Sequence, residues 1–270
     1  MDGRETVSND TEDTDFGWPP DFGAWWTDLK IAAAFLTRLP IRLGDTGGMS
    51  ALARAARCFP LVGLGIGLLG AIVYALAVAF DLPPLLAALC AVAAMVAVTG
   101  ALHEDGLADT ADGFGGGGDR ERKLQIMRDS RIGTYGVIAL VLGLGARVVA
   151  LASFEDNADA IAALILCQAA SRALVVVVMQ RAPLARSDGL AASAGRPTQA
   201  TMLWALGLGG LIAVVFAGLD GAVAAAAGAA VAWMVAWLAQ RQIGGVTGDV
   251  LGAVQQGCEI AMLLALVALD

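Results

Sequence analysis

Charged residues are scarce in this sequence. They make up 16% of its 270 residues, against 58% hydrophobic residues, and the mean hydropathy is +0.71. Typical soluble domains carry about 25% charged residues. The composition therefore favours a membrane protein, with a soluble all-helical protein built around a large core as the alternative.

The usual cysteine and histidine patterns of metal sites are missing. The four cysteines lie far apart with no Cys-x-x-Cys spacing, and His103 is the only histidine. This spacing indicates neither a disulfide framework nor a zinc site, and we expect buried free thiols.

The N-terminal segment lacks the apolar stretch of a signal peptide. Residues 1–28 hold eight acidic residues and one basic residue, so they contribute −7 of the net charge of −8. We predict that residues 1–24 are a disordered acidic tail and that residues 25–270 form a single integral-membrane catalytic domain.

Aromatic residues cluster where this tail meets the apolar part of the chain. Trp18, Trp25 and Trp26 lie near Lys30 and are expected to anchor the chain at the bilayer surface. The segment that follows, 25–39, is predicted to be an interfacial or re-entrant helix.

Long apolar runs are what the sequence has in abundance. A helix needs about 17–25 apolar residues to cross a bilayer. The runs predict an all-α, polytopic membrane bundle of about seven transmembrane helices, and glycines such as Gly63, Gly67, Gly207 and Gly210 would let helices approach closely. The runs lie near 58–80, 84–102, 133–153, 160–180, 202–219, 222–239 and 251–269.

Basic residues fall on one side of the membrane when the connections are assigned alternately to the two sides. That side receives Lys30, Arg38, Arg42, Arg54, Arg57, Arg120, Arg122, Lys123, Arg128, Arg131, Arg181, Arg186, Arg196 and Arg241. The opposite side receives only acids: Asp81, Glu155, Asp156, Asp159, Asp220 and Asp270. The positive-inside rule predicts that the basic side faces the cytoplasm of a bacterial inner membrane.

One block of ionisable residues, 101–136, interrupts the apolar runs on that cytoplasmic side. If the block is helical, Asp105, Asp109 and Asp112 share one face at i, i+4 and i+7. Like charges so placed repel, and a divalent cation would offset the repulsion. With Asp249 as a fourth ligand, these oxygen donors favour Mg²⁺ or Mn²⁺.

The loop that carries Asp249 is rich in glycine, Gly244-Gly-Val-Thr-Gly-Asp249. Thr247 is predicted to cap the helix that follows. The alternative to a metal site here is a plain turn with a helix N-cap.

Possible phosphate-binding groups lie in the same block. Backbone amides of Gly115 and Gly116 could face an oxyanion, and Arg128 and Arg131, on either side of Ser130, could clamp phosphates. A flexible glycine connector and ordinary positive-inside arginines are the alternatives. Together the groups predict metal-dependent phosphoryl or nucleotidyl transfer.

Several other polar residues have open roles. Glu104 is a candidate additional ligand or base, and His103 is either a general base or structural. Within the apolar runs, Arg172 is expected to line a polar cavity with Ser171 and Gln168, while Arg147 is expected to snorkel toward the outer surface.

Two motifs resemble a known family. His103-Glu-Asp-Gly-Leu-Ala-Asp-Thr-Ala-Asp-Gly113 and Ile126-Met-Arg-Asp-Ser-Arg-Ile-Gly-Thr-Tyr-Gly136 are similar to the cobalamin synthases, also called adenosylcobinamide-GDP ribazoletransferases. The resemblance continues at 35–40, 59–63, 171–173, 183–190 and 244–249. Glu104 departs from it, since an apolar residue is more often found there.

The resemblance implies an inner-membrane enzyme that joins adenosylcobinamide-GDP to α-ribazole or its 5′-phosphate and releases GMP with Mg²⁺ present. The metal ligands would be Asp105, Asp109, Asp112 and Asp249, and one carboxylate would accept the hydroxyl proton. The implied partners are the corrinoid nucleotide, α-ribazole and the lipid bilayer, with a possible homo-oligomer and no nucleic acid.

Two other functions remain open. A CDP-alcohol phosphotransferase is suggested by Asp109-Thr-Ala-Asp112-Gly113, but Gly116-Gly117 replace that family's Ala-Arg pair and no later aspartate pair follows. A transporter with a cytoplasmic cation site would need polar residues along several spans.

Overall fold

The computed structural model describes residues 21–43 and 51–270, and this part of the chain is helical, without a β-strand. Its only strand-like feature is an isolated bridge between Leu184 and Val246. The prediction of an all-α membrane bundle is confirmed. The helices are α1 Phe22–Leu36, α2 Leu52–Ala55 (continued by a 3₁₀ turn at Ala56–Cys58), α3 Phe59–Ala79, α4 Pro84–Thr99, α5 Leu102–Gly116, α6 Arg120–Ile126, α7 Thr134–Ala152, α8 Asn157–Arg181, α9 Leu190–Ala194, α10 Gln199–Ile243 and α11 Gly248–Val267.

Five helical segments in the described part are long and apolar enough to cross a bilayer, and the bent pair α4–α5 makes a possible sixth. The axes of α4 and α5 differ by 89°. Two successive residues, Gly100 and Ala101, adopt left-handed backbone conformations and produce the bend. The predicted run 84–102 therefore ends where α5 turns away.

Helix α10 contains two of the predicted runs, 202–219 and 222–239. Ala217 and Gly218 leave the helical region of backbone space. In a straight helix, residues eight apart are about 12 Å apart, yet a Cβ on Gly221 would overlap the carbonyl oxygen of Ala213. The chain therefore folds back, and α10 is a helical hairpin of two arms.

Both arms of this hairpin contact one stretch of α8. Gly209 on the first arm lies against Ala173, and Gly228 on the second lies against Leu174. Counting the arms separately, and α4–α5 as one span, gives the seven spans that the sequence predicts.

The interhelical connections form two ends of opposite charge. At the basic end, Arg120 of α6 donates hydrogen bonds to the carbonyl oxygens of Ile243, 2.8 Å away, and Ala185, 2.7 Å away. At the other end, the Asp270 carboxylate accepts a hydrogen bond from the Glu155 amide at 2.9 Å. These contacts support the alternation of connections inferred from the sequence.

Glycines set the closest helix crossing in the core. A Cβ on Gly63 or Gly67 of α3 would collide with the backbone of α8 at Gln168 or Ile165. This confirms the predicted close approach at Gly63 and Gly67. Gly207 and Gly210, by contrast, have no neighbouring atoms within 4 Å of a built Cβ, so the prediction for these two positions is wrong.

The N-terminal helix begins earlier than predicted. Asp21 caps α1, which starts at Phe22, so the helix includes residues assigned to the tail. Asp28, counted among the tail's acids, is fully buried and pairs with Arg54 and Arg57 at 3.0 and 2.8 Å. The rest of the predicted tail, residues 1–20, lies outside the described residues.

The two described tryptophans differ in environment. Trp25 packs beneath the guanidinium of Arg57 and edge-on against Trp204. It is therefore part of the fold rather than a surface anchor. Trp26 is 63% exposed, as an interfacial anchor would be, and Trp18 lies outside the described residues.

Candidate functional site

Two glycines bring the aspartates of α5 and α11 together. A Cβ on Gly106 would lie 2.7 Å from the carbonyl oxygen of Asp249 and 3.1 Å from the Cα of Gly252. The two helices can approach this closely because neither glycine has a side chain. Asp105, next to Gly106, therefore lies near Asp249 although 144 residues separate them in the sequence.

The carboxylates form one electrostatic group. The charges of Asp105, Asp249 and Asp112 all act on Asp109, which lies one turn from Asp105 on α5. Asp105 is exposed, whereas Asp109 and Asp249 are half-buried. The predicted shared face and the predicted proximity of Asp249 are both present.

The side chains do not converge on one point. Among the described residues, no three or more His, Cys, Asp or Glu side chains are arranged to hold a metal ion. Common coordination by Asp105, Asp109 and Asp249 would require their carboxylates to turn, so the metal-ligand assignment stays a prediction.

Asp112 has a structural role of its own. Its two carboxylate oxygens accept hydrogen bonds from the amides of Gly133 and Gly136 at 2.7 and 2.8 Å. Those amides belong to the first turn of α7, which a carboxylate stabilises. A Cβ on either glycine would overlap the Asp112 carboxylate, which explains both glycines of the Arg-Ile-Gly-Thr-Tyr-Gly motif.

The loop before α11 contains the predicted cap. The Thr247 hydroxyl accepts a hydrogen bond from the Val250 amide at 3.3 Å and donates one to the Asp249 carboxylate at 3.1 Å. The N-cap prediction is confirmed. The cap also positions Asp249, so the turn and the site are compatible.

The glycine run does not present free amides at Gly115 and Gly116. Both residues lie in the last turn of α5, where backbone N–H groups point back into the helix and the carbonyl groups are left free. Gly115 instead gives room to the ring of Tyr135. This geometry does not favour the predicted oxyanion site at these two residues.

Arg128 and Ser130 lie with the aspartates. Together with Asp105, Asp109 and Asp129 they line one polar cavity between α5 and the loop after α6. The Arg128 guanidinium donates two hydrogen bonds, at 2.6 and 2.7 Å, to the exposed carboxylate of Asp188. The structure thus brings Arg128 and Ser130 to the predicted place.

Arg131 has a local partner. It is 87% exposed and forms an ion pair of 2.7 Å with Asp129. Hydrogen bonds from Arg131 lower the pKa of the Asp129 carboxyl to about 2. Asp129 is therefore charged at neutral pH and holds Arg131 in the loop.

Glu104 points away from the aspartates and into the bundle. It lies 2.7 Å from Arg147, which also contacts Glu259 at 2.8 Å. All three side chains are buried. Arg147 does not snorkel to the surface, and that expectation is wrong; Glu104 is placed as an ion-pair partner rather than as a catalytic base.

Amide side chains complete this buried network. Gln256 donates a hydrogen bond to Glu104, and Gln255 donates to Ser171 and Glu259. Arg172 donates to Gln168, as the predicted grouping of Arg172, Ser171 and Gln168 requires. The predicted cavity, however, is filled by these side chains.

Comparison with known proteins identifies the family. The sequence profile described as "CobS: Cobalamin-5-phosphate synthase" matches residues 28–267. This chain belongs to the cobalamin-5-phosphate synthase family.

Curated relatives agree with the family assignment. Three of them carry the name adenosylcobinamide-GDP ribazoletransferase. The Bradyrhizobium diazoefficiens protein is 48% identical over 89% of this chain and 93% of its own. The Sinorhizobium medicae protein is 47% identical over 90% and 96%, and the Rhizobium etli protein 47% over 88% and 95%. No solved structure matches the chain.

In this member of the cobalamin-5-phosphate synthase family, sequence reasoning missed two charged residues. Arg186, 84% buried by side chain, lies 3.7 Å from Asp249 and 3.8 Å from Asp188. Its buried Nη1 atom has no hydrogen-bond partner. The signal was its place between apolar residues close to Asp188, in a segment read only as part of the family resemblance.

Glu259 was also missed. It is a carboxylate within the apolar run 251–269, a position where an ionisable residue is costly unless it is paired. Its spacing from Gln255, one helical turn earlier, was the available signal. Because its partners fill the space around it, the network offers no pathway for a transported solute.

Proposed function

We propose that the protein is an adenosylcobinamide-GDP ribazoletransferase that joins adenosylcobinamide-GDP to α-ribazole, or to its 5′-phosphate, and releases GMP. One structural observation carries the proposal: Asp105, Asp109 and Asp249 meet beside a cavity lined by Arg128 and Ser130. The names of the relatives supply the substrate.

The carboxylate group suits Mg²⁺ by the chemistry of its donors. Asp105, Asp109 and Asp249 offer hard anionic oxygens, and thiolate and imidazole ligands are absent from this group. Bound there, Mg²⁺ would neutralise charge on the diphosphate during an in-line displacement. Asp112 would contribute less, since both its oxygens already accept backbone hydrogen bonds.

The proposed reaction exchanges one phosphate ester bond for one anhydride bond. A ribazole hydroxyl oxygen bonds to the phosphorus carried by the cobinamide arm, and the bond from that phosphorus to the bridging oxygen breaks. GMP leaves with the bridging oxygen. The hydroxyl proton passes to a carboxylate, for which Asp105 is best placed because it lines both cavities of the site.

Arginines beside the carboxylates would hold the phosphates. Arg186 has a buried Nη1 atom free to donate and lies beside Asp249. Arg128 faces the polar cavity but is shared with Asp188. Arg131 is the weakest candidate because Asp129 holds it in the loop. A buried guanidinium gains more from a phosphate than an exposed one, since water screens it less.

We place the site on the cytoplasmic face of the bacterial inner membrane. The connections at the end that carries Asp105 and Asp249 also carry the chain's lysines and arginines, while those at the opposite end carry Asp81, Asp220 and Asp270. This asymmetry follows the positive-inside rule. A soluble nucleotide substrate would then reach the site directly.

The direct test uses the full-length protein purified into lipid nanodiscs with Mg²⁺, adenosylcobinamide-GDP and α-ribazole. We expect equal amounts of GMP and adenosylcobalamin, measured by chromatography, and no GMP when α-ribazole is omitted. Release of CMP from a CDP-alcohol, without GMP from the corrinoid, would instead identify a phospholipid synthase.

A further inference from the structure

A narrow apolar cavity lies on the other side of Asp105 from the polar cavity. It is enclosed by α1, α2, α5, α8, α9 and α11, together with Phe59 at the start of α3. Phe35 and Phe59 stack on each other at one wall, with centroids 6.2 Å apart and planes 12° apart. Asp105 and Asp249 also line this cavity. The apolar space thus opens onto the proposed reaction centre.

The lining limits what the cavity can hold. Of the described residues around it, only His103, Asp105 and Asp249 carry polar side chains. The remainder are aliphatic, aromatic or glycine, among them Val175, Met179 and Ala191. Such a slot favours a flat apolar group attached to a polar one that reaches the aspartates.

We propose that this cavity binds the benzimidazole base of α-ribazole, with the ribose hydroxyls directed toward Asp105 and Asp249. The inference rests on the proposed function and deepens it by assigning the two substrates to separate cavities. The diphosphate of adenosylcobinamide-GDP then occupies the polar cavity lined by Arg128 and Ser130. Asp105, which borders both, lies where the attacking hydroxyl meets the phosphorus.

The other parts of the substrates suit the cavity less well. Guanine carries donors and acceptors on its edge that the aliphatic lining would leave unpaired, which is costly. A corrin ring is too broad for a slot enclosed by this many helices. A benzimidazole has an apolar edge and two aromatic faces, which the Phe35–Phe59 pair and the aliphatic side chains of α8 can contact.

Helix α9 offers a matched pair of variants. Ala191 lines the cavity, whereas the adjacent Ala192 does not. Ala191→Leu would reduce the space for the base, while Ala192→Leu makes the same change on the same helix outside the cavity. Pocket contacts of this size change substrate discrimination by about tenfold or more.

The experiment measures KM for each substrate with the nanodisc-embedded enzyme, and the binding of α-ribazole alone by calorimetry. We expect Ala191→Leu to raise KM and Kd for α-ribazole about tenfold, to leave KM for adenosylcobinamide-GDP unchanged, and to be less harmful for a ribazole whose benzimidazole lacks its methyl groups. Ala192→Leu should behave like the wild type.

The two proposals fail differently. If the wild type releases GMP but Ala191→Leu leaves the α-ribazole constants unchanged, or raises KM for both substrates equally, the cavity assignment is overturned and the proposed function stands. If the wild type binds α-ribazole in a manner sensitive to Ala191→Leu but releases no GMP, the proposed function is overturned and the cavity assignment stands.

Discussion

The guanidinium of Arg147 on α7 lies 2.7 Å from the Glu104 carboxylate on α5, inside the helix bundle. The same arginine contacts Glu259 of α11 at 2.8 Å. One ion-pair network therefore joins three helices directly beneath Asp105. Because each charge is buried, removing one partner leaves another uncompensated.

We predict that Arg147→Leu destabilises the protein by about 3–5 kcal/mol, because it leaves Glu104 and Glu259 buried without a cation. Thermal unfolding in detergent would show this as a lower midpoint. Arg131→Leu is the control, since its exposed ion pair should contribute little. Equal midpoints for the two variants would contradict the structural role of the network.

The glycine contact between α5 and α11 leads to a second prediction. Gly106→Ala would push the helices apart, because its Cβ would lie 2.7 Å from the Asp249 carbonyl oxygen. We expect a loss of about 1–3 kcal/mol in stability and a clear fall in GMP release, as Asp105 and Asp249 separate. Gly118→Ala, which has open space around it, should leave both unchanged. Full activity in Gly106→Ala would show that this spacing is not required.

A third prediction separates Asp112 from the other aspartates. Asp112→Asn replaces one of two accepting oxygens by a donor that faces an α7 amide. We expect it to lower stability by about 1–2 kcal/mol without changing the Mg²⁺ concentration that gives half-maximal rate. A large increase in that concentration would instead assign Asp112 to the metal.

The fourth prediction concerns the arginines. Arg186→Gln should reduce kcat/KM for adenosylcobinamide-GDP more than Arg131→Gln does, because Arg186 is 84% buried beside Asp249 and has an unpartnered Nη1 atom. Steady-state rates at fixed α-ribazole would measure both variants. A larger loss in Arg131→Gln would show that the exposed loop arginine is the phosphate ligand.

The features set by local pattern could be predicted from the sequence. The apolar runs give the spans, the spacing of Asp105 and Asp109 gives a shared helix face, and Thr247 gives the α11 cap. The reversal at Ala217–Gly218 and the 89° bend before α5 depend on backbone conformations at single residues, although the boundaries between runs already lie close to them.

Partnerships across the bundle could not be predicted in the same way. Arg147 pairs with Glu104 and Glu259, which lie 43 and 112 residues away in the sequence. Asp112 meets α7 amides only after the block 101–136 folds back on itself. Such contacts depend on which helices become neighbours, and the periodicity of one helix contains no information on that.

The most direct test of the central claim is the rate of GMP release as a function of Mg²⁺ concentration for the wild type, Asp109→Asn and Asp249→Asn. We predict that the wild type requires Mg²⁺, and that both variants are slower by about a hundredfold and need more Mg²⁺ for half-maximal rate. Full GMP release by the wild type in the presence of a chelator, or wild-type rates in both variants, would contradict the account.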